Sequence, residues 1–227
     1  QFFKRCFEEC QLTQLPPLLL DLAIIRLIEP ASKLRSLELL SRYFEIKYSQ
    51  RIYRTIPKLI SWKADIEQRA YNVARHLFKE QFYYVLYDVT TLYFESFKPD
   101  ELKVQGFSKD NKSQQPQIVI GLLVTQAGFP LAYDVFAGNT FEGKTMLPVV
   151  ENFIAKHPDT KPIIVADAAM LDDDRLAELR DKGLSYIVGA RLANSSLGTV
   201  KQVHGALSEV NGAMTRLHSR HGDLICD

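Results

Sequence analysis

The sequence predicts an α/β domain built on one mixed sheet, preceded by an all-helical region. Three observations predict it. Residues 1 to about 80 carry apolar side chains at helical spacing. At about residue 82 the pattern shifts to strands, beginning with an aromatic and β-branched run at 83–94, Tyr-Tyr-Val-Leu-Tyr-Asp-Val-Thr-Thr-Leu-Tyr-Phe. From there to about residue 191 short apolar strands give way to an alternation of amphipathic helices and strands.

In the first region, Thr13 is placed to cap a helix that opens with Pro16 and Pro17 and runs through Leu18, Leu22, Ile25 and Ile28. Ser32 is placed to cap the next, with Leu34, Leu37 and Leu40. Ser49 starts a third pattern through Ile52, Ile56, Leu59 and Ile60, where Pro57 must kink or break the helix. A fourth lines up Ile66, Ala70, Val73, Ala74, Leu77 and Phe78, with Lys63, Arg69, Arg75 and Lys79 on its other face. That charged face reads as solvated, with a nucleic-acid or partner surface as the rival reading.

The 83–94 run reads as a strand buried on both faces, which makes Asp88 in its middle costly unless it is paired or holds a metal. The polar stretch 98–115 follows, with Lys103, Lys109 and Lys112 around Phe107, as an exposed loop or a contact to a phosphate backbone. Residues 117–125 and 130–136 read as two more strands joined by a turn at Gly128. A helix at 145–155, a strand at 161–167 ending on Asp167, a helix at 173–182 closed by Gly183, and a strand at 184–190 complete the order.

That order, β-β-β-α-β-α-β, is the succession of a ribonuclease H-like domain, with a mixed sheet covered on both faces. The first and fourth strands are neighbours in such a sheet, so Asp88 and Asp167 fall together despite their separation in sequence. Two carboxylates side by side suit a hard divalent cation such as Mg²⁺. The plainer reading makes each a turn former or helix cap, and a helix does follow Asp167 at once.

Whole-chain properties narrow the class. With 227 residues, 46% hydrophobic and 24% charged, the chain is ordinary globular protein. A net charge of +1 gives no overall basic signature, so any nucleic-acid surface has to come from local clustering. No membrane span or signal peptide is evident. Cys6, Cys10 and Cys226 form neither a disulfide framework nor a zinc pattern and read as reduced thiols of a cytoplasmic protein. The first residue is Gln1 and the last Asp227, which reads as a fragment of a longer protein.

Six short motifs then carry a resemblance. Tyr87-Asp88-Val89-Thr90-Thr91, Gly106-Phe107-Ser108-Lys109-Asp110, Gly121-Leu122-Leu123, Gly138-Asn139-Thr140, Val165-Ala166-Asp167-Ala168 and Val188-Gly189-Ala190-Arg191 resemble, in this order and spacing, the signatures of bacterial insertion-sequence transposases of the DDE superfamily. The branch resembled has a β-strand insertion in its catalytic domain, and the likeness runs from about Pro30 to the end of the chain. It departs from the family at Ala168-Ala169, where Gly usually follows Asp-Ala.

The resemblance implies a domain plan: a helical N-terminal region at 1–80, the first part of the catalytic core at 81–191, and the truncated start of an insertion subdomain at 192–227. It makes Asp88 and Asp167 the first two catalytic, metal-binding acids. The third, a Glu on a helix beyond the insertion, is assigned to no residue, Glu178 and Glu209 being wrongly placed. The implied chemistry is phosphoryl transfer on double-stranded DNA, at transposon ends and then at a target. Two Mg²⁺ ions (Mn²⁺ as substitute), about 3.5–4 Å apart, would clamp the attacking and leaving oxygens. Asn139, Thr140, Arg191, Lys109 and Lys112 are candidates for contacting DNA, with turn formation or plain surface charge as their simpler roles. A homodimer is expected in the DNA complex, associated with the bacterial nucleoid. A truncated transposase acting only as a DNA-binding or assembly module is the alternative. A phosphatase of the haloacid dehalogenase type is disfavoured, because Thr90 stands where that class needs a second Asp.

Overall fold

The computed structural model describes residues 2–77, 79, 82–95, 98–106, 115–167, 172–189, 196–207, 214–219 and 222–226. The chain divides into two compact units, Gln1–Glu80 and Gln81–Asp227.

In the first unit, α1 spans Phe2–Glu9, α2 Pro17–Ile28, α3 Lys33–Phe44 and α4 Lys63–Asn72. Cys6 lies on α1 and Cys10 just beyond it, both as free thiols. Thr13 is not the cap of α2: it lies in a 3₁₀ turn, Leu12–Gln14, and Pro16 occupies the cap position with no side-chain bond. Proline at the first position of α2 presets φ for the helix and has no N–H of its own to leave unsatisfied. Ser32 does cap α3, its hydroxyl accepting from the Arg35 N–H at 3.3 Å. Ile25, Leu39 and Leu40 are buried where α2 meets α3, with Leu22, Leu37, Ile46 and Tyr48 packed around them.

Pro57 divides the third pattern into two 3₁₀ segments, Gln50–Arg54 and Ile56–Trp62, because it can neither donate to the preceding turn nor fit its carbonyl. The charged face of α4 is largely engaged within its own unit. Lys63 pairs with Glu67 at 2.8 Å and Arg69 with Asp65 at 2.7 Å, and Arg69 also reaches Gln14 at 3.0 Å and the Gln11 carbonyl. A single π-helical turn, Val73–Leu77, continues α4.

The second unit is organised by a five-stranded sheet. Its strands are β1 Tyr84–Tyr93, β2 Gln117–Thr125, β3 Pro130–Ala137, β4 Ile163–Ala166 and β5 Tyr186–Val188, in the spatial order β3-β2-β1-β4-β5. β1, β2 and β3 form an antiparallel meander, while β4 and β5 add in parallel beside β1. This is the mixed α/β sheet of the ribonuclease H-like order. The turn glycine Gly128 has φ +83° and Gly183, after the next-to-last helix, φ +67°. α5, Met146–Lys156, joins β3 to β4, and α6, Asp173–Asp181, joins β4 to β5. Asp172 caps α6 through the Arg175 N–H at 2.9 Å. Beyond β5 come α7, Leu197–Ala206, and a hairpin of β6, Thr215–Ser219, with β7, Gly222–Cys226.

Among the described residues the two faces of the sheet differ, where cover on both was expected. Register places Val85, Tyr87, Val119, Leu123, Ile164 and Ala166 on one face, and all are buried. α5 packs there against β2 and β3, burying Met146, Val149, Val150 and Phe153. Both crossovers advance in the same direction across the sheet, so the right-handed rule puts both connecting helices on this one side. The opposite face carries Leu86, Asp88, Thr90, Leu92, Leu122 and Ile187, half-buried or exposed, with Ile187 at 52%. The apolar composition of β1 does reach both faces, but among the described residues only one face is covered.

Gly121 on β2 is required by a close approach: a Cβ there would collide with the Tyr87 phenol, which lies across it. Gly121→Ala should therefore cost roughly 1–3 kcal/mol despite alanine's better strand propensity, as overpacking does elsewhere. Urea unfolding measures it, and adding Tyr87→Ala should make the second substitution cost less than it does alone.

Candidate active site

Asp88 lies in the middle of β1, opposite Leu122 of β2. On its other side β1 pairs with β4 in the register Tyr84↔Ile163 to Tyr87↔Ala166. Next after that last pair come Asp88, still within β1, and Asp167, just past the end of β4. Neighbouring strands run about 4.8 Å apart, and residues level with each other in register share a face. Both carboxylates are exposed. The expectation of a buried Asp88 is thus overturned: it faces the open side of the sheet, so no desolvation cost forces a partner on it. Both carboxylates offer hard oxygen donors to solvent, the donor type that holds a divalent cation. Among the described residues no group of three or more His, Cys, Asp or Glu side chains converges to hold a metal. Asp88 Oδ1 accepts from the Val89 N–H at 2.8 Å, which limits its rotamers. Glu178, on α6, lies 3.9 Å from Arg175 in an ion pair, and Glu209 is outside the described residues.

Behind Asp88, on the covered face, the Tyr87 hydroxyl donates to Thr145 Oγ1 at 2.8 Å, and Thr145 in turn donates to the Glu142 carbonyl at 2.6 Å. Burial pushes the Tyr87 phenol up to about 12, with Asp134, Asp88 and Glu142 adding to the shift and Thr145 opposing it. A second buried tie lies at the start of β2. Gln117 Nε2 donates to the Gly138 carbonyl at 2.7 Å, and a Cβ on Gly138 would run into the Gln117 and Val104 carbonyls. A Cβ on Gly106 would likewise strike Gly138. The two glycine motifs beginning at 106 and 138 therefore start side by side.

Asn139 and Thr140 follow Gly138 in the β3–α5 connection, Asn139 exposed and Thr140 half-buried, with the Thr140 N–H on the Ala137 carbonyl at 2.8 Å. β3 runs parallel to β1, so these residues leave the sheet at the same edge as Asp167. Strand spacing puts Ala137 about 16 Å from Asp88, two strands across and four residues along. Asn139 and Thr140 share an edge with the carboxylate pair without joining it. Arg191, Lys109 and Lys112 lie outside the described residues. Sequence reasoning missed Tyr87, Gln117 and Thr145 as organisers of this region. The signal available was Gly121: a glycine inside a strand marks a close approach.

The cleft in the helical unit, about 350 Å³ and lined by Glu9, Cys10, Gln11, Arg69, Asn72, Val73 and His76, contains neither carboxylate.

The family model described as Transposase DDE domain matches residues 81–218, more than half of the chain. The chain belongs to the DDE transposase family. Its match begins where the helical unit ends and includes Asp88 and Asp167. Two similar solved structures are a Mos1 transposase paired-end complex with left transposon end and a pre-cleavage Mos1 transpososome. Each is 11% identical with a TM-score of 0.33 over 81% of this chain, covering 68% and 64% of the respective partner chains. No curated protein matches the chain. No helix among the described residues is long and apolar enough to cross a membrane.

The Tyr87 shift has a defined pH consequence. The unfolded phenol loses its proton near the ordinary value of 10.0, while the folded one holds it to about 12. The unfolded state thus binds fewer protons in that interval, and stability falls as pH rises from 10 to 12. Urea unfolding over this range should show a steeper decline for the unaltered chain than for Tyr87→Phe, which lacks the titrating group.

Proposed function

We propose that this transposase domain catalyses metal-dependent strand cleavage and strand transfer on DNA at transposon ends, with Asp88 and Asp167 as catalytic metal ligands. The observation that supports this most is the parallel register of β1 and β4, whose last pair, Tyr87↔Ala166, immediately precedes the two exposed carboxylates. The donor set fits a hard cation: two carboxylates, both hard oxygen donors. When bound, Mg²⁺ or Mn²⁺, as a pair of ions, supplies stabilisation of charge on the attacking and leaving oxygens of an in-line displacement.

The protein's part is positioning. Asp88 sits mid-strand, paired with Leu122 of β2 and next to the last residue of β1 that pairs with β4, a more rigid mount than a loop. The Tyr87 phenol, held under Gly121 and bonded to Thr145, fixes β1 from behind. Asn139 and Thr140, and Arg191, Lys109 and Lys112 by the resemblance, are the proposed contacts to DNA phosphates. Water would attack a phosphorus at the transposon end, and the freed 3′-hydroxyl would then attack target DNA, with two copies of the chain holding the ends. The third acid of the family is assigned to no residue. Such a carboxylate could meet the pair only from the open face, where half-buried Leu86 and Leu122 leave apolar surface for a covering element. The α7 segment and the β6–β7 hairpin after β5 agree with residues 192–227 beginning a β-strand insertion.

A second reading, a DNA-binding or assembly module without catalysis, is favoured by the absence of a third converging ligand among the described residues. Calorimetric titration with Mn²⁺ separates the two. The proposal expects binding by the unaltered chain and its loss in both Asp88→Ala and Asp167→Ala. Binding that survives either substitution would remove the carboxylate pair as its site.

A further inference from the structure

The connection between β3 and α5, residues 138–145, is held at both ends by buried side chains and turns others outward. At its start Gln117 Nε2 grips the Gly138 carbonyl, and at its end the fully buried Thr145 takes the Tyr87 hydrogen bond. Three backbone bonds close the turns between: Thr140 N–H to the Ala137 carbonyl at 2.8 Å, Lys144 to Phe141 at 2.9 Å, and Thr145 to Glu142 at 3.1 Å. On this frame Phe141 is 55% exposed, and Asn139 and Lys144 are exposed beside it. Among the described residues neither the Asn139 amide nor the Lys144 ammonium has a partner.

One exposed aromatic alone needs no explanation. Here it stands on a braced loop, flanked by an amide and an ammonium, at the sheet edge that carries Asp167. Aromatic rings stack on bases, while lysine and asparagine side chains take phosphate oxygens. A base can offer its face to such a ring only when it is out of the duplex stack. The connection also carries Glu142, half-buried, its backbone carbonyl accepting from Thr145, while Lys144 is exposed.

We propose that Phe141 stacks on an unpaired base of the DNA strand engaged at Asp88 and Asp167, with Lys144 and Asn139 on the adjoining backbone. The loop thereby selects single-stranded or frayed DNA over closed duplex. This rests on the DNA-transfer reading above and adds to it the state of the strand.

The test uses the full chain with two labelled probes, an oligothymidylate single strand and a duplex of equal length, each titrated by fluorescence anisotropy. Phe141→Ala should lose roughly 5- to 100-fold in affinity for the single strand, the general range for removing one base–aromatic stack, and keep its duplex affinity. Lys144→Ala should weaken both probes and lower the salt slope by about one. Phe141→Trp, combined with Trp62→Phe to leave one indole, should bind oligothymidylate with quenching of its emission. Unchanged melting temperatures confirm that each variant folds. Single-strand binding by Phe141→Ala equal to that of the unaltered chain would overturn the proposal. So would equal loss on both probes, an unquenched indole, or no binding of oligothymidylate by the unaltered chain. Mn²⁺ titration of the same proteins keeps the two claims apart. Carboxylate-dependent Mn²⁺ binding with no Phe141 effect sinks the stacking alone. A Phe141 effect without carboxylate-dependent Mn²⁺ binding sinks the transfer reading.

Discussion

The parallel pairing of β1 with β4 is the constraint on which the rest of this domain depends. Side chains alternate along a strand, so a slip of one residue would send Asp88 and Asp167 to opposite faces. The register from Tyr84↔Ile163 to Tyr87↔Ala166 excludes that slip. It is held by the buried side of the sheet: Val85, Tyr87, Ile164 and Ala166 must all face α5's layer, and moving β4 by one would expose its apolar set. The residues immediately before the two carboxylates, Tyr87 and Ala166, are therefore aligned by hydrophobic burial on the opposite face.

That division of labour recurs through the unit. Tyr87 and Asp88 are adjacent in sequence and point to opposite sides. The tyrosine is 3% exposed, crosses Gly121 and ties β1 to the start of α5, while the aspartate stays in solvent. Gln117 does the same at the start of β2, holding Gly138 and with it the loop that displays Asn139, Phe141 and Lys144. Packing on one face builds a rigid edge, and the chemistry-bearing groups stand on the other face and along that edge.

Much of this was legible in the residues. Gln117–Thr125 has the bounds read from its period and flanking turns, and β1 lies within one residue of its predicted ends at each side. The neighbouring of β1, which carries Asp88, and β4, which leads into Asp167, followed from the element order. The burial of Asp88 was misread because β1 is apolar on both sides, and composition cannot tell whether a second layer covers a strand. The cap of α2 was misread because Thr13 competes with prolines that need no cap. Tyr87, Gln117 and Thr145 were invisible as organisers because each acts through a contact distant in sequence, visible only as the small residues Gly121 and Gly138 that make room for it.

Cysteine cross-linking tests the central claim, the level register of the two carboxylate positions, most directly. In a chain with Cys6, Cys10 and Cys226 replaced by serine, the pair Asp88→Cys and Asp167→Cys should be bridged rapidly by a short bifunctional thiol reagent such as dibromobimane. The pair Val89→Cys and Asp167→Cys, one residue out of register and on the opposite face, should not. Efficient bridging of the second pair with failure of the first would contradict the register, and with it the shared site.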